Sequence, residues 1–526
     1  MKGNRTNKIW LVGMITMLTP TFCFAQISRY TENIEYRGEL SGELGSGDFS
    51  PLWLQANKFG LSSSDPNSGY LRGSLIRDIG VDSLHTWGIG YGADIAVAKN
   101  FTSTVVIQQL FADLKFHHGR LTVGSKEYPM ELKNNSLSSG SQTFGINARP
   151  VPQVRIALPE YWTLPILRGW VHLKGHISYG KMTDQNWQHD FTGRKSRYTD
   201  GAFYHSKAGY IKIGNDERYA PLSLELGLEM ACQFGGTTYT PNPKGGMYKI
   251  ENSSGIKDFA KAFIPGGSDA TETTYRNAEG NHLGSWLMRL NYEVDTWKFG
   301  LYADKYFEDH SSMLQLDYNG YGTGSEWNTH KKRKYDLYHF KDMMLGLELN
   351  YKYGEWLRDI VFEYVYSKYQ SGPIYHDHTK NISDHIGGND NFYNHYLFPG
   401  WQHWGQVMGN PLYLSPIYNE NGLLQVANNR FTALHLGISG CPADNLRYRV
   451  LATWQEGLGT YDQPYSKKKN QTSLLLDVKY DFHAKPLRGW SIKGACGVEF
   501  GEIRGDNVGF QLTISKRGII NYKEIE

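Results

Sequence analysis

One stretch of the chain concentrates side chains suited to holding a ligand: Tyr393-Asn394-His395-Tyr396, followed by Trp401-Gln402-His403-Trp404. Flat aromatic faces bordered by hydrogen-bonding groups suit sugar rings, which have apolar C–H faces and polar rims. Trp401, Trp404, Tyr393, Tyr396 and His403 are therefore the candidate glycan contacts. The same composition suits a long loop that folds onto itself around its own small aromatic core, and both readings stand at this point. Upstream, His376 and His378 lie close to His385, with Asp377 and Asp384 nearby. Histidine is the commonest metal ligand, but neither His-Glu-x-x-His nor a calcium-loop pattern occurs, so no metal or cofactor is expected. His435 and Ser439 share one strand face, as a base and a nucleophile would. Such pairs arise by chance on any barrel wall, and no Gly-x-Ser-x-Gly elbow accompanies them. No enzyme is expected.

The elements that position these residues begin after a leader. Lys2, Arg5 and Lys8 precede an apolar run from Ile9 to about Leu18, and Cys23-Phe24-Ala25 offers small residues before a cut at Gln26. That layout is a secretory signal peptide over residues 1–25; the apolar run is shorter than the roughly 20 residues of a membrane helix. Residues 26–526 are expected to form one domain. Net charge is only +3 and no later apolar run reaches helix-spanning length, so nucleic-acid binding and a helical membrane bundle are excluded. An exported chain rich in Tyr, Trp and Gly fits a barrel with a wet or polar interior. The odd set Cys232, Cys441 and Cys496 shows no Cys-x-x-Cys spacing.

Period-two alternation marks strands. Leu222, Leu224, Leu226, Leu228, Met230, Cys232 and Phe234 alternate with Ser223, Glu225, Gly227, Glu229, Ala231 and Gln233, and Met343–Tyr351, Leu446–Gln455, Trp490–Phe500 and Val508–Ser515 read likewise. The chain supplies about 18 such segments, an even number as single-chain bacterial barrels require. Connections from even to odd strands are short, such as Tyr353-Gly354 and Cys441-Pro442-Ala443, whereas 235–283, 308–339 and 370–429 are long and follow odd strands. Outer-membrane barrels have short periplasmic turns and longer extracellular loops, and a soluble sandwich has no cause to sort loops by parity. The fold expected is an all-β, antiparallel transmembrane barrel. Trp87, Trp170, Trp286, Trp297, Trp356 and Trp490 stand near strand ends, where interfacial girdles sit. The lumen face carries both signs of charge: Arg155, Lys174, Arg289, Arg447 and Arg449 against Glu225, Glu229 and Glu348. Such charges must be solvated or paired.

Several stretches together resemble the Wzi-type capsule-assembly outer-membrane proteins in their Bacteroidetes form. They are Ser50-Pro51-Leu52-Trp53-Leu54-Gln55-Ala56-Asn57, Gly69-Tyr70-Leu71-Arg72-Gly73, Gln108-Gln109-Leu110-Phe111-Ala112-Asp113, Asn147-Ala148-Arg149-Pro150-Val151-Pro152-Gln153, Gly169-Trp170-Val171-His172, Tyr204-His205-Ser206-Lys207-Ala208, Gly409-Asn410-Pro411-Leu412-Tyr413 and Gly459-Thr460-Tyr461-Asp462. The resemblance implies a monomeric barrel with a lectin-like role, retaining and organising capsular or exopolysaccharide at the cell surface and carrying out no chemistry. Outer-membrane lipid surrounds such a barrel, and polysaccharide-export machinery is a further partner class. The chain departs from enterobacterial members, whose N-terminal helical bundle plugs the periplasmic end: only a short segment precedes the first strand here. Two rival functions are a porin-like or glycan-import channel, favoured by the charged lumen, and a loop-borne enzyme.

Overall fold

The computed structural model describes residues 29–215, 218–264, 280–308, 313, 320–321, 324–331, 341–370 and 390–523. The signal segment 1–25 and the histidines His376, His378 and His385, with Asp377 and Asp384, lie outside the described residues.

The barrel strands are β1 (Ile34–Ser46), β2 (Ser68–Arg77), β3 (Trp87–Lys99), β4 (Val105–Phe116), β5 (Gly119–Ser125) and β6 (Gln153–Thr163). They continue as β7 (Val171–Lys181), β8 (Phe203–Ile213), β9 (Leu222–Phe234), β10 (Asn281–Glu293), β11 (Trp297–Phe307) and β12 (Met343–Tyr351). The last are β13 (Asp359–Tyr366), β14 (Phe431–Ala443), β15 (Leu446–Gly459), β16 (Pro464–Asp481), β17 (Trp490–Gly501) and β18 (Asn507–Ile520). They form one 18-stranded sheet. Every strand pairs antiparallel with its chain neighbours, and β18 closes the ring on β1 from Ile34↔Ile520 to Ser46↔Val508. The expected strands are all present with shifted ends. The one expected over 69–83 stops at Arg77, because Asp78 Oδ1 accepts the Gly80 N–H at 2.6 Å and starts the turn Ile79–Asp82. No helix among the described residues is long and apolar enough to cross a membrane.

Alternation sorts the two faces. Leu40, Leu71, Val97, Ile107, Leu347 and Leu476 are exposed on the outside, while their neighbours Ser41, Arg72, Ala96, Gln108 and Leu475 are buried inward. A continuous outward apolar band is a lipid-facing surface, and ring closure leaves no strand edge to satisfy in hydrocarbon. Trp87, Trp170, Trp297, Trp356 and Trp490 are exposed at the end with short turns, and Trp286 at the end with long loops. The thiols are all free: Cys496 faces outward, Cys441 is half-buried, and Cys232 is buried with Phe234 against Phe259 and Ala262 of the loop helix Ile256–Phe263.

The expectation of a polar interior holds for only half of the lumen. From mid-barrel to the loop end the lumen contains an apolar core, in which Tyr302, Met344, Val365, Leu451 and Leu475 of the wall meet Trp53, Leu137, Trp401, Val407 and Leu412. The inward face of the strands is mixed, and the missing apolar partners arrive from loops folded back into the barrel.

Candidate functional site

Three loop-end segments fill the lumen. The first, between β1 and β2, turns inward at the short helix Leu52–Gln55, all of it buried. Glycine at two lumen positions makes room: a Cβ on Gly497 would stand 2.8 Å from Pro51 and 2.9 Å from Leu54, and one on Gly509 2.8 Å from Leu54. Trp53 Nε1 then donates to Thr453 Oγ1 at 3.0 Å.

The second segment, between β5 and β6, is tied to the wall by carboxylates. Glu363 accepts from Ser138 Oγ at 2.5 Å, the Ser139 N–H at 2.8 Å and the Tyr302 hydroxyl at 2.5 Å. Asp304 takes Lys133 at 2.7 Å and the Gln142 N–H at 3.0 Å, both side chains of that ion pair being sealed from solvent.

The third segment, within 390–429, lies on the second. Gly145 N–H donates to Met408 O at 2.8 Å, Asn147 Nδ2 to Val407 O at 3.1 Å and Asn410 Nδ2 to Gly140 O at 3.0 Å. A Cβ on Gly409 would collide with the Tyr393 ring and hydroxyl, so only glycine lets these backbones pass.

The candidate glycan contacts fall inside this assembly. Trp401 and Tyr393 are fully buried, His403 and Trp404 nearly so, and only Tyr396 is open, at 51% exposure. Trp401 Nε1 donates to Thr143 O at 3.3 Å, the Tyr393 hydroxyl donates to Gln142 O, and Arg149 lies 4.3 Å over the Trp404 ring. As folded, Trp401, Tyr393, Trp404 and His403 are packing residues that offer no open face to a sugar. This corrects the expectation of direct stacking in favour of its rival, a loop with its own aromatic core. Tyr393 and Trp404 also adopt φ of 68° and 56°, a conformation costly for bulky side chains and sustained by such packing. His403 Nδ1 donates to Arg149 O at 2.8 Å, while its Nε2 accepts from the Thr183 N–H at 3.2 Å. Burial holds its pKa down at about 4.

The lumen charges point inward and are mostly spent on structure. Arg289 pairs with Glu348 at 2.7 Å and Lys174 with Glu131 at 2.7 Å; Arg449 takes Asp477 at 2.6 Å and Arg447 takes Asp481 at 3.7 Å. Glu225 accepts from the Tyr161 hydroxyl at 2.7 Å and Glu229 from that of Tyr210 at 2.7 Å. Arg155 lies 3.9 Å over the Tyr128 ring. His435 and Ser439 do not meet as base and nucleophile. His435 is held by Thr453 Oγ1 and Leu137 O, both at 2.7 Å, and Ser439 donates to Asp359 at 2.9 Å. Among the described residues no group of His, Cys, Asp and Glu is arranged to hold a metal.

An open cleft of about 590 Å³ lies instead on the loop face. It is lined by Asp184, Asn186, His189, Arg194, Tyr198, Asp200, Tyr239, Gly246 and Met247. Two odd-to-even loops build it. Tyr198–Asp200 of the β7–β8 loop pairs with Thr237–Pro241 of the β9–β10 loop, which pairs in turn with Met247–Glu251. Tyr198 and Tyr239 stand in register and stack at 4.9 Å with 16° between planes. Asp200 is exposed, and Asp184 accepts the Asn186 and Gln188 N–H groups at 3.1 Å each. The stretch singled out from sequence is the underlay of this cleft. His403 holds Thr183 beside Asp184, Arg197 lies 3.7 Å over Tyr396, and Thr199 and Thr238 both donate to Leu397 O. No local motif marks Tyr198 or Tyr239: they belong to different loops and meet only through cross-loop pairing.

The fold therefore defines a class: a closed, 18-stranded antiparallel outer-membrane-type barrel whose lumen is occupied by its own loops. No protein-family model and no curated protein matches the chain. Among solved structures it is similar to Wzi of Escherichia coli, described as an outer-membrane, carbohydrate-binding β-barrel involved in group 1 capsule assembly. The identity is 12% over 96% of this chain and 88% of that one, with a TM-score of 0.53. It is also similar to OccAB4 of Acinetobacter baumannii, at 9% identity over 94% of this chain and 100% of that one, TM-score 0.42. At such identities the likeness is one of fold.

Proposed function

We propose that this barrel binds polysaccharide at the cell surface and retains it there as capsule or exopolysaccharide. The observation that carries the reading is the loop-face cleft, with the half-buried Tyr239 ring backed by the buried Tyr198 and bordered by Asp184, Asn186, His189, Arg194 and Asp200. An aromatic platform beside carboxylate, amide, imidazole and guanidinium groups matches a sugar's apolar face and hydroxyl rim. The apolar core across the lumen supports binding over passage. The similarity to a carbohydrate-binding barrel is in keeping with it.

The test is gene deletion, followed by measuring how polysaccharide divides between cells and medium. Loss should move polymer into the medium with total synthesis unchanged, the wild-type gene should restore retention, and Tyr239→Ala should not. An unchanged division would sink the retaining role. The rival reading, a channel, is favoured by one observation, the open cavity at the turn end, and predicts conductance steps in a planar bilayer.

A further inference from the structure

At the turn end the lumen wall sets basic residues in direct cross-strand opposition. Arg447 of β15 stands opposite Lys479 of β16, and Lys479 opposite Lys493 of β17. Arg517 of β18 stands opposite Arg37 of β1. Like charges directly opposite each other weaken a sheet. Acidic neighbours relieve part of this. Asp481 takes Lys479 at 2.8 Å and Arg447 at 3.7 Å, and Glu39 pairs with Arg37. Lys493 and Arg517 form no ion pair among the described residues.

Apart from Asp481, these residues line one open cavity of about 1190 Å³, with nine basic side chains against five acidic ones; from behind the lining Asp94 pairs with Arg72 as Asp481 does with Lys479 and Arg447, leaving a basic excess. Its inner end is the lumen plug, from which Lys58 projects, its ammonium on Leu54 O and, at 2.8 Å, on Gln511 Oε1. Ser491, Thr513 and Ser515 add hydroxyls to the wall. A chamber walled by low-dielectric barrel and lined by one excess charge concentrates the opposite charge.

We propose that this vestibule is a binding site for an elongated multivalent anion, a ligand carrying two or more phosphate or carboxylate groups, seated on Lys493 and Arg517. Thr513 is the residue opposite Lys493, so Arg517 lies four residues further along β18, about 14 Å of strand before the reach of the side chains is counted. That spacing leaves room for more than one anionic group between the two side chains, so charges set apart on one short chain engage both. The site faces away from the loop-face cleft and does not rest on the glycan reading.

The test is calorimetric titration of the purified full-length barrel in neutral detergent with tripolyphosphate, a galacturonic acid trisaccharide and uncharged maltotriose. At least one charged ligand should bind saturably, and more weakly as salt rises from about 50 to about 200 mM. Maltotriose should not bind. The double variant Lys493→Gln, Arg517→Gln should bind at least about tenfold more weakly, and Lys244→Gln on the exposed loop should bind as the wild type does. Whichever charged ligand binds tighter assigns phosphate or carboxylate. Without anion the double variant should unfold at or above the wild-type temperature, because it removes repulsion. Failure of both charged ligands at low salt, equal binding of maltotriose, unchanged binding by the double variant, or its earlier unfolding would each overturn the site.

Discussion

Single residues hold the plug, and each does so by a nameable force. Lys133 and Asp304 form a sealed ion pair between the second inward segment and β11. Lys133→Met leaves a buried carboxylate without its cation, a change that costs about 3–5 kcal/mol. It should appear as early protease cutting within 126–152 while the barrel itself stays resistant. His403 gives the plug a pH dependence whose sign follows from its neutral form. Burial holds its folded pKa at about 4, below the 6.5 of a solvated imidazole. The unfolded loop therefore binds the extra proton first, and stability present above pH 6.5 is lost as pH falls towards 4. The full loss is roughly 3 kcal/mol. His403→Gln keeps a donor for Arg149 O and an acceptor for Thr183, so its unfolding temperature should depend less on pH over that window. Parallel curves for the two proteins would refute the assignment.

At the scale of elements, the sheet and the inward loops are stabilised differently. Strands are joined by backbone hydrogen bonds that any alternating sequence supplies, whereas the inward segments depend on close passage at a few points. Gly409→Ala should push the third segment off the second through Tyr393, and Gly497→Val should displace the turn at Pro51 and Leu54. Both variants should still assemble as heat-resistant barrels. Replacing residues 400–414 by a Gly/Ser linker should produce discrete conductance steps in a planar bilayer that are absent from the wild type. Steps of equal size from the wild type would favour the channel reading.

The molecule as a whole is a barrel with unlike halves. Its loop half is an apolar core topped by an aromatic cleft, and its turn half is an open basic vestibule. Among the described residues only the loop end sends connections as far as mid-barrel; at the other end the turn Ile79–Asp82 packs inward on Gly88 and Gly90 but stays at the rim. Ligand binding at the two ends should accordingly be independent. Tyr239→Ala should leave anion titrations unchanged, and Lys493→Gln should leave polysaccharide retention unchanged.

Strand number, pairing sense and which face meets lipid were legible in the sequence, because alternation such as Leu222–Phe234 and loop parity are local quantities that survive without knowing any contact. That 393–404 is dense in aromatic residues was legible too. Its role was not. Aromatic side chains serve equally as platforms and as core, and only the path of the backbone decides between them. That path runs inward, burying Tyr393, Trp401 and His403, while Tyr239 is set on the buried Tyr198 at the cleft through a pairing between separate loops. The opposition of Lys479 to Lys493 and of Arg37 to Arg517 likewise depends on strand register. Register is set by closure of the whole ring, so no single segment of sequence encodes it.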